Sequence, residues 1–241
     1  MNWRGYPLGE RSAAPLRWLL WPPAMLKLRD RRFVGYVSYE GAGRLLDFGC
    51  GVGRYVAQMA AAGWRAEGLD LSGDAVETGC RAGLALHQGT LPGAGLPAQS
   101  YDAIMMWHAL EHVPSPMATL CAAGELLRPG GRVVVVSPLC DSLAARWFGP
   151  AWYAHGELPR HLTHFTRRTL RRHLEAAGLR VERVRSVRRP TFFRRSFGYL
   201  ADDTGRGLHR RLARSGLVAR AASYLALLLG RTDEAVFIAR R

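Results

Sequence analysis

The sequence predicts an α/β protein: a doubly wound parallel sheet covered by helices on both faces. Three observations lead there. Short apolar runs alternate with helical patterns through the middle of the chain. The first run ends in a glycine cluster, Gly49-Cys50-Gly51-Val52-Gly53, and the second ends in an acid, Asp70. Four consecutive valines, Val133 to Val136, read as a strand buried on both faces.

Each element has its own signal. Arg44 to Phe48 is the first strand, followed by a helix from Tyr55 to Ala62 that Gly63 stops. Arg65 to Leu71 is the second strand, Asp74 to Arg81 a short helix, and Leu84 to Gln88 the third strand. A proline- and glycine-rich loop, Leu91 to Pro97, leads to the fourth strand, Tyr101 to Met106. Ser115 and Pro116 suit the N-cap and first position of a helix. Met117, Leu120, Gly124 and Leu127 continue it until Pro129-Gly130-Gly131, and Arg132 to Val136 is the fifth strand. The connection from Ser137 to Phe165 is too long for a plain loop and is expected to be functional. The next helix begins at Thr166, with Phe165 and Leu170 as a hydrophobic staple and Gly178 as its stop. Arg167 and Arg168 sit in its first turn, where the helix dipole disfavours positive charge by roughly a few tenths of a kcal/mol. Leu179 to Val187 is a sixth strand, Arg188 to Thr232 an insert, and Glu234 to Ala239 the last strand.

Bulk properties narrow the class. A length of 241 residues admits one large domain or two small ones. Hydrophobic and charged fractions of 48% and 22% are those of a soluble globular protein. Cys50, Cys80, Cys121 and Cys140 form no CxxC pair, which argues against a disulfide framework or zinc site and for a reducing compartment. The apolar run Leu16 to Leu26 is broken by Arg17, Pro22 and Pro23, so no secretory signal is expected. No stretch reaches the roughly 20 apolar residues of a membrane span. A cytoplasmic protein is therefore expected. Net charge is +15, distributed as +5 over residues 1–46, −3 over 47–140 and +13 over 141–241. Basic flanks around a slightly acidic middle suit an acidic partner: a membrane surface, a phosphorylated substrate or a nucleic acid. A merely solvated surface reads the same way.

Glycines after the first strand let the backbone turn tightly and approach a ligand closely. Asp70, at the end of the second strand, can take both hydroxyls of a ribose. A dinucleotide fingerprint requires a third glycine, but the two possible registers put Arg54 or Val56 there. Asp47, just before the glycines, would repel a pyrophosphate and suits a cationic amino-acid group instead.

These residues resemble the motifs of class I S-adenosylmethionine-dependent methyltransferases. Leu45-Leu46-Asp47-Phe48-Gly49-Cys50-Gly51-Val52-Gly53 is similar to the first motif, and Gly68-Leu69-Asp70-Leu71-Ser72 to the second. Ser100-Tyr101-Asp102-Ala103-Ile104, Leu110-Glu111-His112-Val113 and Leu126-Leu127-Arg128-Pro129-Gly130-Gly131 follow in family order. The resemblance implies a Rossmann-like, seven-stranded sheet with a reversed last strand, and S-adenosyl-L-methionine as cofactor. It places Asp47, Gly49, Cys50, Gly51, Gly53, Asp70, Leu71, Thr90, Leu91 and Trp107 at the cofactor. Relatives often carry an Asp after the third strand for the adenine; here Gly89-Thr90-Leu91 stands instead, leaving the Thr90 side chain or the Leu91 backbone. A single methyltransferase domain is expected over 1–241, with a helical lid at 1–43, a cofactor core at 44–187, a helical insert at 188–232 and the last strand at 233–241.

The acceptor belongs beyond the carboxyl ends of the strands. His108, Glu111 and His112 follow the fourth strand, with His112 first choice as general base because imidazole titrates near neutrality. The loop is similar to that of ubiquinone-biosynthesis O-methyltransferases, where a Glu-His pair helps bind a divalent metal. Two ligands do not make a metal site, and none is expected here; Glu111 and His112 can equally fix the loop by hydrogen bonds. Pro159-Arg160-His161-Leu162-Thr163-His164-Phe165 resembles a segment of bacterial methyltransferases; it offers His161 to catalysis and Arg160 and His164 to the acceptor, or else these residues cap the following helix and pack as satisfied polar groups. Tyr6, Trp18, Trp21, Arg29, Arg31 and Arg32 are expected in the N-terminal lid. Leu217 to Leu229, flanked by Arg210, Arg211, Arg214, Arg220 and Arg231, is a basic apolar helix that either packs over the sheet or a neighbouring subunit, or lies on an anionic membrane. The leading expectation is an O-methyltransferase acting on a hydroxylated small-molecule or lipid-linked acceptor. A nucleic-acid methyltransferase is the alternative, disfavoured because the fourth-strand loop lacks an Asn/Asp-Pro-Pro-Tyr signature. A non-catalytic membrane-peripheral module is the third.

Overall fold

The structure, a computed structural model, describes residues 43–155 and 159–241. The segment expected as an N-terminal lid, including Tyr6, Trp18, Trp21, Arg29, Arg31 and Arg32, lies outside them.

Within those bounds β1 (Arg44–Phe48), α1 (Arg54–Ala61), β2 (Arg65–Asp70), α2 (Gly73–Arg81), β3 (Leu86–Gln88) and β4 (Tyr101–Trp107) come first. Then follow α3 (Pro116–Leu126), β5 (Leu127–Pro138), α4 (Leu143–Phe148), α5 (Arg167–Ala176) and β6 (Arg180–Val187). Helices α6 (Pro190–Thr204), α7 (Gly207–Arg214) and α8 (Gly216–Leu228) precede β7 (Glu234–Arg240). The strands make one seven-stranded sheet in the order β3-β2-β1-β4-β5-β7-β6. β1 to β5 pair in parallel, and β7 runs antiparallel between β5 and β6. This is the doubly wound sheet with a reversed last strand.

Period-two alternation divides the core. Leu46, Phe48, Ile104, Met106, Val133 and Val135 point to the face covered by Leu120 and Ala123 of α3 and Leu170 and Leu174 of α5. Leu45, Ala103, Met105, Val134 and Val136 point to the other face, against Met59 of α1. Side chains alternate across a strand, so two-sided burial demands continuous apolar runs of this kind.

The helix ends follow their signals. Ser115 Oγ accepts from Ala118 N at 3.4 Å with Pro116 in the first turn. Thr166 caps α5 in a reciprocal capping box with Thr169. The positive charge at the start of α5 has local compensation: Arg167 donates to Thr232 Oγ1 at 2.7 Å and lies 3.6 Å from Asp141.

Two strands differ from expectation by more than one residue. β3 is shorter, beginning at Leu86. β5 begins at Leu127 and runs to Pro138, because the Pro129-Gly130-Gly131 turn is absorbed as a register shift opposite Tyr101. The 137–165 connection and the insert meet in a second core, in which Leu143, Phe148 and Trp152 pack with Phe192 and Phe193 of α6 and Ala219 and Ala226 of α8.

Candidate functional site

The strand order reverses between β1 and β4, and ligands of doubly wound sheets bind at that switch point, beyond the carboxyl ends of the strands. The glycine turn lies there. Gly49 N and Cys50 N both donate to Leu69 O, at 2.8 and 3.3 Å, tying the turn to β2. Gly49, Gly51 and Gly53 have φ of +77°, +54° and +80°, a conformation that suits glycine. Their surroundings differ. A Cβ on Gly49 would stand 2.7 Å from Ala109 Cβ, in the loop after β4, and one on Gly53 would stand 2.7 Å from Leu84. One on Gly51 would meet nothing within 4 Å. Gly49 and Gly53 therefore serve close packing, and Gly51 opens onto free space. Accordingly, Gly49→Ala is expected to lose about 2–4 kcal/mol in urea unfolding, from left-handed strain and overpacking together. Gly51→Ala should lose about 1–2 kcal/mol, from strain alone.

Two carboxylates flank the turn. Asp70 accepts from Gly51 N at 2.7 Å and Ser72 N at 2.9 Å. Asp47 is buried, and desolvation followed by the nearby Asp70 charge pushes its pKa up to about 8. A cation would relieve both effects. Cys50 is no nucleophile: burial, then Asp47, pushes its thiol up to about 12. Leu71 is 67% exposed. The Leu91 side chain is buried and its carbonyl accepts from Thr119 Oγ1 at 3.0 Å. Thr90 is half-buried beside it, and Trp107 packs with the α1-side core while the Arg189 guanidinium lies 5.7 Å from its ring centre.

Beyond β4, a short 3₁₀ turn carries Leu110–His112. His108 has φ +49° and is clamped by two acids, with Nδ1 3.3 Å from Glu111 Oε1 and Nε2 3.4 Å from Glu234 Oε2. Burial works to lower its pKa, but Glu111 and Glu234 overcome that and push it up to about 9. Glu111 is itself buried and takes Ser137 Oγ at 3.2 Å; despite the cost of burial, His108 holds its carboxyl below the usual range. Both nitrogens of His108, expected to meet the acceptor, thus face carboxylates.

The Glu111 carbonyl accepts from Leu162 N at 2.9 Å and Thr163 N at 3.1 Å, so the 159–165 segment is hydrogen-bonded to the loop after β4. His112 Nδ1 donates to Arg160 O at 2.8 Å, and His161 Nδ1 donates to Ala154 O at 2.9 Å. A carbonyl only accepts, so each neutral ring carries its proton on Nδ1 and its lone pair on Nε2. The two rings lie 4.7 Å apart. His164 follows 6.0 Å from His161, with its pKa lowered by burial and by His155, and Arg160 is exposed.

One donor from each of Glu111, His112 and His161 comes within 4.8 Å of the others. Two imidazoles and a carboxylate are a donor set that divalent first-row ions accept. The ligand count that argued against a metal therefore rises from two to three, although His108 and Ser137 already engage the Glu111 carboxylate. Sequence reasoning singled out both loops, but not their union, and it missed Ser137, Arg189 and Glu234. The one signal for Glu234 was an acid opening an otherwise apolar strand.

The comparisons agree with this geometry. A methyltransferase domain family matches residues 24–184. A ubiquinone biosynthesis O-methyltransferase of Aromatoleum aromaticum is 38% identical over 98 residues, covering 37% of this chain and 42% of that protein. Its counterpart from Burkholderia thailandensis is 28% identical over 164 residues, 60% of this chain and 67% of its own. The chain thus spans less than half the length of the first of these relatives. Among solved structures, an S-adenosylmethionine-dependent methyltransferase from Mesorhizobium loti superposes with a TM-score of 0.57 at 21% identity, over 91% of this chain and 96% of that one. With sheet order, glycine turn and matched region all in accord, the chain belongs to the methyltransferase domain family.

Proposed function

We propose that the chain is an S-adenosylmethionine-dependent methyltransferase that transfers the methyl group to the oxygen of a hydroxylated acceptor, small or lipid-linked. One observation carries the reading: the open glycine turn, with buried Asp47 and half-buried Asp70 beside it, lies at the switch point, and the loop after the fourth strand brings the His112 ring within 4.7 Å of that of His161. The relatives, named as O-methyltransferases, support oxygen as the receiving atom.

The residues fit the cofactor. The space over Gly51 admits a ligand backbone, and Asp47 gains a counter-charge from a cationic amino-acid end. Asp70 would take the ribose hydroxyls, Leu71 would offer apolar surface to the purine, and Thr90 with the Leu91 backbone would meet its edge. Cys50, Gly53 and Trp107 shape the walls. When bound, the cofactor supplies an electrophilic methyl group on a sulfonium. The protein's part is alignment, worth several kcal/mol of barrier or roughly 7–11 at best, and proton removal. His112 Nε2 would take the proton of the acceptor hydroxyl. His161 lies beside it, Glu111 and His108 fix the loop, and Arg160 and His164 face the acceptor.

Calorimetry with S-adenosylhomocysteine and NADH tests the cofactor, and only the first should bind. Because Asp47 must lose its proton to meet a cation, affinity is expected to rise with pH and level off above about 8. Asp47→Asn should flatten that slope. His112→Ala should lower kcat with a catechol-type acceptor about 100-fold or more while leaving S-adenosylhomocysteine affinity unchanged. Full activity in the variant would remove His112 from the mechanism. Activity that is lost in EDTA and restored by a divalent ion would reassign Glu111, His112 and His161 to a metal.

A further inference from the structure

Helices α6 to α8 take no part in that chemistry, and α8 is built inside out. Its buried positions are Ala219, Ser223 and Ala226. Leu217, Leu225 and Leu228 are 77%, 41% and 81% exposed. At 100° per residue, Leu217, Ala221, Leu225 and Leu228 fall on one stripe, opposite the buried positions. Leu229 at its end and Leu208 on α7 add more exposed apolar surface. A helix serving only its own core would bury the leucines and expose the alanines, so a stripe of this kind marks an interaction site.

The charge around the stripe identifies the partner. Residues 205–231 contain Arg206, Arg210, Arg211, Arg214, Arg220 and Arg231 and no Asp or Glu. All six arginines are exposed. A second copy docking through this face would set six cations against six. A nucleic acid would engage the arginines and leave the leucines in water. An anionic lipid surface satisfies both, with acyl chains for the leucines and phosphates for the arginines. Among the described residues no helix is long and apolar enough to cross a membrane, so the contact is one of lying on the surface.

We infer that α7 and α8 form a docking face for an anionic bilayer. This rests on the α8 geometry and not on methyl transfer, so either reading can fail without the other.

The test is flotation of the full chain with vesicles of phosphatidylcholine alone and of phosphatidylcholine mixed with phosphatidylglycerol. Binding is expected to the mixed vesicles at low salt, at least about tenfold weaker to phosphatidylcholine alone or at high salt. Leu217→Ser with Leu228→Ser should weaken it about tenfold with the thermal midpoint unchanged, since both side chains are already in water. Arg210→Gln with Arg211→Gln and Arg214→Gln should remove the preference for anionic lipid. Equal flotation of the leucine variant and the wild type would overturn the inference. So would a dimer in sedimentation velocity that the leucine variant dissociates, which would make this face a contact between copies. Duplex RNA bound without vesicle binding, and lost only in the arginine variant, would assign the face to nucleic acid instead.

Discussion

Asp70→Ala is expected to weaken S-adenosylhomocysteine binding by roughly 100-fold or more. Two losses combine. The carboxylate holds the glycine turn by accepting from Gly51 N and Ser72 N, and in the proposed complex it also receives the ribose hydroxyls. Hydrogen bonds to a charged group contribute about 1.5–3 kcal/mol each, so losing even the ribose pair corresponds to two decades or more in affinity. Asp70→Asn keeps acceptors for the turn and loses the charge, and should fall between wild type and alanine. Calorimetry reads all three. A dissociation constant within twofold of wild type for Asp70→Ala would place the ribose elsewhere.

The largest stability loss is expected from Glu234→Ala. Glu234 opens β7 fully buried, takes Arg189 through Nε at 2.8 Å and Nη2 at 3.1 Å, and faces His108. Truncation leaves two cations facing a gap, and breaking a buried pair in this way costs roughly 3–5 kcal/mol. Urea unfolding should show it. The same cluster sets a pH dependence. His108 is raised from 6.5 to about 9 in the folded chain, so its contribution is complete below pH 6.5 and is lost as pH rises through 9. Asp47, raised from 3.8 to about 8, acts in the same direction between those values. Stability of the ligand-free protein should therefore decline toward alkaline pH. Glu234→Gln should flatten the part of that decline above neutrality.

Local signals carried most of the sheet. Leu45, Leu46 and Phe48 of β1 and Val133 to Val136 of β5 are apolar on both sides because helices cover both faces, and Gly49 to Gly53 with Asp70 mark the switch point in the sequence alone. Caps at Ser115 and Thr166 were equally readable, since a cap is decided by residues three apart. What escaped depends on long-range approach. His112 and His161 are separated by 49 positions and meet because the Glu111 carbonyl receives the Leu162 and Thr163 amides, a contact with no side-chain signature. Glu234 reaches His108 through the reversed strand, from the far end of the chain. The second core around Phe193 likewise joins two segments, each of which looked like an isolated loop or insert.

Those two amides have an evolutionary consequence. The alignment of the 159–165 segment against the loop after β4 is held by main-chain groups, which nearly every amino acid possesses. Drift at Leu162 or Thr163 can therefore change the side chains at this junction without unfastening the two loops, and proline alone would remove the donor. A lineage carrying this stitch is free to vary the side chains of the segment while inheriting the scaffold unchanged.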